Sequence, residues 1–475
     1  MELGAALGVI EEQRKMIAAL RVELEMERHR SAQMMTELKR LRVRVSELEM
    51  RVKQDSDTSH RPPSSDPPWK KRSEPTRERS GGNKGGQKGH RGNKRERLEP
   101  DQVIEHIPER CRECDALLDG LAERAPRVWQ VTELEPMSAQ VLEHRAHAKR
   151  CGRCGKRTYA VLPAEVSKSQ FGPRMRSMIA LLTGGYRMSH RQVQTLLEQV
   201  WSARISLGAV SRCQRTVSQA LQVPYRQAHD YVERQNVLFA DETSWKGPSA
   251  NWLWTASTAE VSVFQLQERR NTECAKALLG VFRGLLTTDR FGSYNHHPMR
   301  KRQVCWAHLL REVKALGLLA EAAAFSKRMK KQIDAMFRKW HLIRDGTIEP
   351  SRARIVMKPT QRRIESLLER GARCRSEPVR SWCSNLLKMR HALFPFVRIP
   401  GAEPTNNRAE RALRHAVIWR KTSFGTQSLG GARFVERICT ALASLRAQKR
   451  DPLAFLERAL CAHETGFSAP SVLPS

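Results

Sequence analysis

One stretch of the sequence cannot contribute to a hydrophobic core, and it divides the chain. Residues 54–100 include SSDPPWKKRSEPTRERSGGNKGGQKGHRGNKRER, which is rich in Pro, Gly and charge and nearly free of aliphatic side chains. A segment of this composition buries too little apolar surface to offset the entropy of folding. It predicts a solvated linker or a flexible basic arm on a polyanion, and the two interpretations are compatible. The chain is therefore expected to be multidomain.

Residues 1–53, before this segment, carry apolar side chains at alternating spacings of three and four. One series is Leu3, Ile10, Ile17, Leu24, Ser31, Leu38, Val45 and Val52, and the interleaved series is Ala6, Gln13, Leu20, Glu27, Met34, Leu41 and Leu48. This pattern is typical of a coiled coil, through which the chain would form homo-oligomers. The alternative is one long helix that folds back on its own protein.

The net charge indicates the chemistry of the partner. Lys and Arg total 84 against 50 Asp and Glu among 475 residues, a formal net charge of +34. Such an excess favours a polyanion, because neutralising phosphates releases counterions. No apolar run approaches the roughly 18 residues of a membrane span, and the first residues lack the pattern of a signal peptide. We expect a cytoplasmic, nucleoid-associated protein that binds double-stranded DNA and no membrane.

Two CxxC pairs lie in residues 101–167, where apolar and polar residues alternate as in strands. Cys111 with Cys114, and Cys151 with Cys154, each place two thiols on one tight turn. Two such turns complete a tetrahedral Zn²⁺ site with no open position, which is the structural kind. The sequence therefore predicts a small zinc-binding β module. The seven other cysteines are expected to be small buried residues, because the odd total of 11 argues against disulfides.

Residues 168–232 predict helices with a helix–turn–helix pattern. Ser206 is placed to cap the second helix of the pair. One face of that helix carries Val210, Cys213, Val217 and Leu221, and the opposite face carries Gly208, Arg212, Arg215 and Gln219. A recognition helix would present the second set to a DNA groove, so Arg212 and Arg215 are candidate DNA contacts. A plain helical hairpin has the same pattern.

From residue 233 the pattern becomes α/β, and acidic residues follow apolar runs. NVLFADETSW contains Asp241, GLLTTDRFGSYN contains Asp289, and the basic stretch PTNNRAERALRHAVIWRKTSFG contains one acid, Glu410. A ribonuclease-H-like core assembles its carboxylate cluster from strands that end in Asp and a later helix that bears Glu. Phosphodiester chemistry uses such a cluster to hold two divalent ions about 3.5–4 Å apart.

Each acid also has a structural alternative. Asp241 and Asp289 could be turn residues at strand ends. Glu410 could belong to a capping box in which Asn407 is the N-cap and Glu410 lies at N3.

The long separation of Asp289 from Glu410 predicts an inserted domain over residues 320–400. Met329, Ile333, Met336, Trp340 and Ile343 step by four and three, so this domain should be helical. It divides the core into residues 233–319 and 401–440, the second part carrying the helix with Glu410. Residues 441–475 would be a C-terminal tail.

Several stretches, taken in order, resemble the bacterial transposases of the insertion-sequence-66 family, which belong to the DDE class. After the coiled coil come GGQKGHRG, the CxxC pairs, ADETSW, TDRFGSYN, CWAH, PTNNRAERALR and DPLAFL, of which NNRAER and ADET are the most specific. The resemblance covers nearly the whole chain. It implies a transposase that binds the terminal inverted repeats of its mobile element, cleaves DNA and transfers strands, with small accessory proteins of the element as further partners.

The resemblance also implies roles for individual residues. Asp241, Asp289 and Glu410 would be the catalytic ligands of Mg²⁺ or Mn²⁺, with Glu242 a neighbour outside the triad. The CxxC module would be the family's zinc-finger-like domain. His308 of CWAH either supports the active site or packs beneath it. In the basic arm, the candidate DNA contacts are Lys84, Lys88 and Arg91. The alternative functions are a catalytically inactive, transposase-derived DNA-binding regulator and a stand-alone nuclease of the same fold.

Overall fold

The structure is a computed structural model that describes residues 2–53, 55, 58–59, 97–120, 125–134, 137–163, 166, 169–248 and 251–474. The chain forms two compact units. The larger comprises Met1–Lys70, His144–Thr195 and Ile205–Ser475, and the smaller comprises Lys71–Glu143 and Leu196–Arg204. The predicted DNA contacts Lys84, Lys88 and Arg91 lie outside the described residues. Among the helices that are described, none is both long and apolar enough to cross a membrane.

The first element is a single long helix, α1, which runs over Glu2–Lys53. The predicted helix is therefore confirmed. Apolar side chains of both heptad series are exposed, among them Ile17, Leu20 and Leu38. The described side chains of α1 thus leave the heptad seam uncovered, which favours pairing with another chain over the fold-back alternative. The pairing itself stays a prediction.

The strand-like region around the CxxC pairs contains less sheet than its alternation predicts. In the larger unit, β1 (Ala148–Arg150) pairs antiparallel with β2 (Arg157–Tyr159). In the smaller unit, Arg110 and Leu117 form an isolated bridge. No strand forms in the described part of residues 127–134, where Trp129 and Val131 are 79% and 89% exposed. The expectation of strands there was wrong, because alternation stabilises a strand only when one face packs on a core.

Four helices follow as predicted: α2 (Pro173–Gly184), α3 (His190–Trp201), α4 (Leu207–Ala220) and α5 (Gln222–Glu233). Ser206 caps α4, since its hydroxyl accepts the N–H of Ala209 at 3.2 Å. The apolar face of α4 is buried at Val210, Cys213, Val217 and Leu221. The opposite face is exposed at Gly208, Arg212, Arg215 and Gln219. The amphipathic prediction is confirmed, and the contact with DNA stays a prediction.

A five-stranded sheet forms the centre of the larger unit, in the order β5-β4-β3-β6-β7. The strands and the two helices that accompany them are, in chain order, β3 (Val237–Ser244), β4 (Trp252–Ser257), β5 (Ser262–Gln267), α6 (Thr272–Leu279), β6 (Leu285–Thr288), β7 (Arg302–Val304) and α7 (Trp306–Leu316). β3, β4 and β5 are antiparallel neighbours, whereas β6 is parallel to both β3 and β7. This arrangement is compatible with the predicted ribonuclease-H-like core. Its central strand is β3, which carries Asp241.

The predicted insertion is helical. It contains α8 (Ala323–Arg344), α9 (Ala353–Gly371) and α10 (Glu377–Lys388). Met329, Ile333 and Met336 of α8 are buried in a core that also contains residues of α7. The predicted period therefore identified the packed face of α8 correctly.

The chain ends with α11 (Asn407–Ser423), α12 (Leu429–Ala447) and α13 (Pro452–Thr465). Residues 441–474 are not a tail, because α12 crosses residue 440 and Phe455, Leu456 and Leu460 of α13 are buried in the main core. α12 also covers the edge strand β5, whose outward N–H groups would otherwise be free to pair with another chain. The N–H of Ser262 donates to the Ser444 hydroxyl at 3.1 Å, that of Phe264 to the Thr440 hydroxyl at 3.0 Å and that of Leu266 to the Glu436 carboxylate at 2.8 Å.

Candidate active site

Asp241 lies within the central strand β3, opposite Thr255 of β4. Its side chain is half-buried, and its Oδ1 accepts the N–H of Glu242 at 3.0 Å. Burial raises the pKa of Asp241 well above its usual value, and the carboxylates of Glu242, Asp289 and Glu410 raise it further. Asp289 and Glu410 therefore lie close enough to Asp241 to act on its charge, although they come from distant parts of the chain.

Asp289 directly follows β6, the parallel neighbour of β3. The ends of neighbouring parallel strands meet at one edge of a sheet, which brings Asp289 towards Asp241. Its Oδ1 accepts the N–H of Phe291 at 2.8 Å. This is an Asx turn, so the turn alternative is correct for one oxygen of Asp289.

Glu410 lies near the start of α11, but the capping-box interpretation is wrong. The N-cap is Asn406, so Asn407 is already helical and Glu410 lies one position beyond N3. The N–H of Glu410 instead donates to the carbonyl of Asn406 at 3.2 Å. The Asn406 side chain makes no cap hydrogen bond, and its Nδ2 donates to the carbonyl of Ala240 at 2.8 Å. That bond fixes the start of α11 beside the residue that precedes Asp241.

The carboxylate of Glu410 is placed to receive a cation. Its Oε1 is buried without a hydrogen-bond partner in the described structure, and it lies 3.7 Å from His308 Nδ1. An unpaired buried carboxylate oxygen is costly unless a ligand satisfies it. Together with two aspartates it forms a set of hard oxygen donors, which Mg²⁺ and Mn²⁺ prefer. The residues present therefore fit a divalent ion.

A second group of metal-binding side chain types overlaps this one. Within the described residues, Cys305, His308 and Glu410 form the group whose ligand atoms all lie within 4.8 Å of one another. Among the described residues, the three carboxylates do not form such a group.

Cys305 is the buried member of this group. Burial raises the pKa of Cys305 to about 12, and its Sγ accepts the N–H of Asn406 at 3.1 Å. A neutral thiol in this environment is a weak ligand. We interpret Cys305 as a packing residue that holds Asn406, and His308 as a neighbour of Glu410. The supporting role of His308 stays a prediction.

Glu242 is excluded from the cluster by its own contacts. One oxygen accepts from Arg270 Nε at 2.8 Å and the other from the Tyr294 hydroxyl at 2.6 Å. Arg270 also stacks on the Phe291 ring, with its guanidinium carbon 3.7 Å from the centroid. Both oxygens of Glu242 are thus occupied, which agrees with its assignment as a neighbour of the triad.

Two residues that support this site could not be identified from the sequence. Asn406 was missed because either Asn of the NN pair can cap a helix. Arg302 of β7 is fully buried, and its guanidinium donates to Asn295 at 2.7 Å and Thr288 at 3.3 Å. An Arg beginning a short strand looks like an exposed residue, so only the structure shows that it buttresses the strand end before Asp289.

The two CxxC pairs adopt the same turn, each within its own unit. The N–H of Asp115 donates to the carbonyl of Cys111 at 2.9 Å, and the N–H of Gly155 donates to that of Cys151 at 2.9 Å. Backbone hydrogen bonds from Glu113 and Cys114 lower the pKa of Cys111. Those from Cys154 and Arg153 lower the pKa of Cys151. Each turn thus favours the thiolate form that binds zinc.

A mixed α/β core with one acid on the central strand, one directly after the neighbouring parallel strand and one on a packed helix is compatible with the ribonuclease-H-like class of proteins. Within that class the chain belongs to the transposase IS66 family, whose model matches residues 168–434. A family of unknown function, DUF6444, matches residues 5–96.

One curated relative gives a more distant comparison. The chain is 25% identical over 279 residues to the "Uncharacterized protein y4qI" of Sinorhizobium fredii (strain NBRC 101917 / NGR234). The matched region is 51% of this chain and 50% of the relative. The chain therefore spans about half the length of that relative.

Proposed function

We propose that this transposase binds the ends of its mobile element, cleaves the DNA there and transfers the resulting strand to a target. Asp241, Asp289 and Glu410 are the ligands of the divalent ions in this proposal. The observation that supports it most is geometric: Asp241 lies on the central strand, Asp289 directly follows the parallel neighbour of that strand, and Glu410 keeps a buried oxygen without a hydrogen-bond partner in the described structure. Cations bound between half-buried carboxylates would offset both their burial and their mutual repulsion.

Each element has a distinct task in this site. Divalent ions, when bound, activate the attacking oxygen and stabilise the leaving oxygen of an in-line displacement. Asp241 and Asp289 supply ligands from the rigid sheet, and Asn406 holds the helix that supplies Glu410. The exposed Arg411 and Arg414 lie on the same helix as Glu410. They would bind the DNA phosphates on either side of the cleaved bond.

The proposal is tested by removing the charge of each acid while keeping its shape. Glu410→Gln, Asp241→Asn and Asp289→Asn should each abolish Mg²⁺-dependent cleavage and strand transfer, with folding and DNA binding nearly unchanged. A double substitution should lose little more than a single one, because ligands of one metal site act as a unit. Oligonucleotides that carry the element's terminal repeats are the substrate.

The conservative variants also separate the alternatives. If the Glu410→Gln protein cleaves element ends at nearly the parent rate, Glu410 is not the third metal ligand and another residue takes that role. A parent protein that binds those ends without cleaving them under Mg²⁺ or Mn²⁺ would instead indicate the catalytically inactive regulator.

The four CxxC cysteines are proposed to bind one structural Zn²⁺ per chain. The support is the spacing of the pairs and the matching turn of each, with a lowered thiol pKa at Cys111 and Cys151. A metal assay on protein purified without chelator should find one zinc per chain, and Cys151→Ser should release it. Protein without zinc would contradict the proposal.

A further inference from the structure

We propose that a cavity at the far end of α11 binds an unstacked nucleotide of the DNA end close to the cleaved phosphate. The proposal rests on the DNA-end processing proposed above and adds a binding site to it. The cavity has a volume of about 600 Å³, within the roughly 300–1,000 Å³ of small-ligand pockets. Three aromatic and three cationic residues line it: Trp245, Trp252, Phe424, Lys246, Arg420 and Lys421.

Phe424 is the residue that offers a stacking surface. It is 74% exposed and ends α11 in the left-handed conformation, with φ at 59°. Helices usually place Gly or Asn at this position, because a side chain there is strained. Backbone strain of this kind is retained where it serves a function, and the exposed ring of Phe424 lines the cavity.

The loop that carries Phe424 is fixed in place. The N–H of Thr426 donates to the carbonyl of Lys246 at 2.8 Å. A Cβ on Gly425 would lie 1.9 Å from that carbonyl oxygen, so only glycine allows this approach. Trp245 Nε1 also donates to the Thr426 hydroxyl at 3.3 Å. The aromatic wall is therefore preorganised, which lowers the entropy cost of binding a base.

The charge of the lining identifies the ligand class. The described residues that line the cavity include Lys246, Arg420 and Lys421 but no acid. Cations beside an exposed aromatic ring such as that of Phe424 suit single-stranded nucleic acid, because the ring stacks on a base while the cations bind phosphates. A double-stranded segment would meet the cations only, since its bases are already stacked.

The position of the cavity relates it to the chemistry. Trp245 follows Asp241 by four residues of extended chain, a path of about 13 Å. Duplex DNA rises about 3.4 Å per base pair. The bound nucleotide would therefore lie within about four nucleotides of the phosphate that Asp241 faces.

The test compares two DNA probes on the full chain, without added Mg²⁺ so that no cleavage occurs. One is a blunt duplex, and the other is the same duplex with a four-nucleotide single-stranded tail containing 2-aminopurine. The parent should bind the tailed probe more tightly and quench its fluorescence. Phe424→Ala should weaken binding of the tailed probe by about 5- to 100-fold, change blunt-probe binding by less than twofold and abolish the quenching. Phe424→Trp should retain both properties.

Two further variants keep the result interpretable. Phe424→Gly removes the strained side chain, so it should fold at least as well as the parent while losing the preference for the tail. Phe467→Ala removes another phenylalanine of similar exposure, 78%, and should leave the binding of both probes unchanged. If Phe424→Ala weakened both probes equally or neither probe, the nucleotide site would be refuted while the proposed metal chemistry stood.

Discussion

At the scale of the residue, buried acids in the described structure are of two kinds. Glu242 and Glu436 have both oxygens hydrogen-bonded, Glu436 to the N–H of Leu266 and to Arg433. Glu410 keeps a buried oxygen without a hydrogen-bond partner. Leaving such an oxygen unsatisfied costs about 1–3 kcal/mol. The first kind stabilises the fold, and the second fits a cation ligand.

Glu436→Gln tests the first kind. Burial raises the pKa of Glu436, so the folded state is favoured at low pH, and this stability is lost as pH rises through the raised pKa. Gln keeps the acceptor for Leu266 and removes the buried charge. At pH 7 the free energy of unfolding of the variant should equal that of the parent or exceed it by up to about 1 kcal/mol. This difference should shrink towards pH 4.

Urea denaturation at both pH values measures this difference. Glu369→Gln, at an exposed acid of α9, is the matched control and should show no such trend. A Glu436→Gln protein that was less stable than the parent at pH 7 would show that the ion pair with Arg433 outweighs the cost of burial.

At the scale of the element, the sequence predicted faces better than ends. The faces of α4 and α8 were predicted correctly, since a buried face imposes its period on the residues. The start of α11 was misplaced by one residue, because Ala240 and Cys305, which are remote in sequence, select Asn406 as the N-cap. The apolar residues of α13 were taken for a tail, because a short segment does not reveal whether a core exists to receive it.

α4 carries the prediction that belongs to this scale. Arg212→Ala and Arg215→Ala should weaken binding to the element's own ends by about 5- to 100-fold, because base contacts discriminate by about 1–3 kcal/mol. Binding to random duplex should change much less. Fluorescence anisotropy with both DNAs measures the difference. Arg338→Ala, at an exposed arginine of α8, is the control.

If the variants lost equal affinity for end DNA and random DNA, α4 would bind phosphates without reading the base sequence. The same helical pattern would then be a plain hairpin, as the sequence alone allowed.

At the scale of the whole molecule, the heptad side chains of α1 whose burial is described are exposed, which predicts assembly. Removing residues 1–53 should lower the mass measured by light scattering to that of a smaller assembly, because the uncovered apolar side chains would no longer pair chains. The catalytic core should stay folded, as judged by its circular dichroism. An unchanged stoichiometry would place the oligomer contact elsewhere or leave the helix without a pairing role.

The candidate site itself is a whole-molecule property. The sequence identified Asp241, Asp289 and Glu410 by their local contexts and by a family resemblance. The sequence could not determine the distances between them. The long helical insertion separates Asp289 from Glu410 in the chain, and only the strand order shows that β3, which carries Asp241, lies beside β6. Nor could the sequence show that Glu242, adjacent to Asp241, is already paired with Arg270 and Tyr294.

The central claim is that these three acids hold divalent ions in one site, and affinity cleavage tests it without relying on catalysis. Fe²⁺ substituted for Mg²⁺, with ascorbate and peroxide, generates radicals that cut the backbone next to the bound ion. If the three acids hold the ions, cuts should appear near residues 241, 289 and 410, excess Mg²⁺ should suppress them, and Glu410→Gln should remove them. Cuts confined to the CxxC turns, or cuts near the three acids that persist in Glu410→Gln, would contradict it.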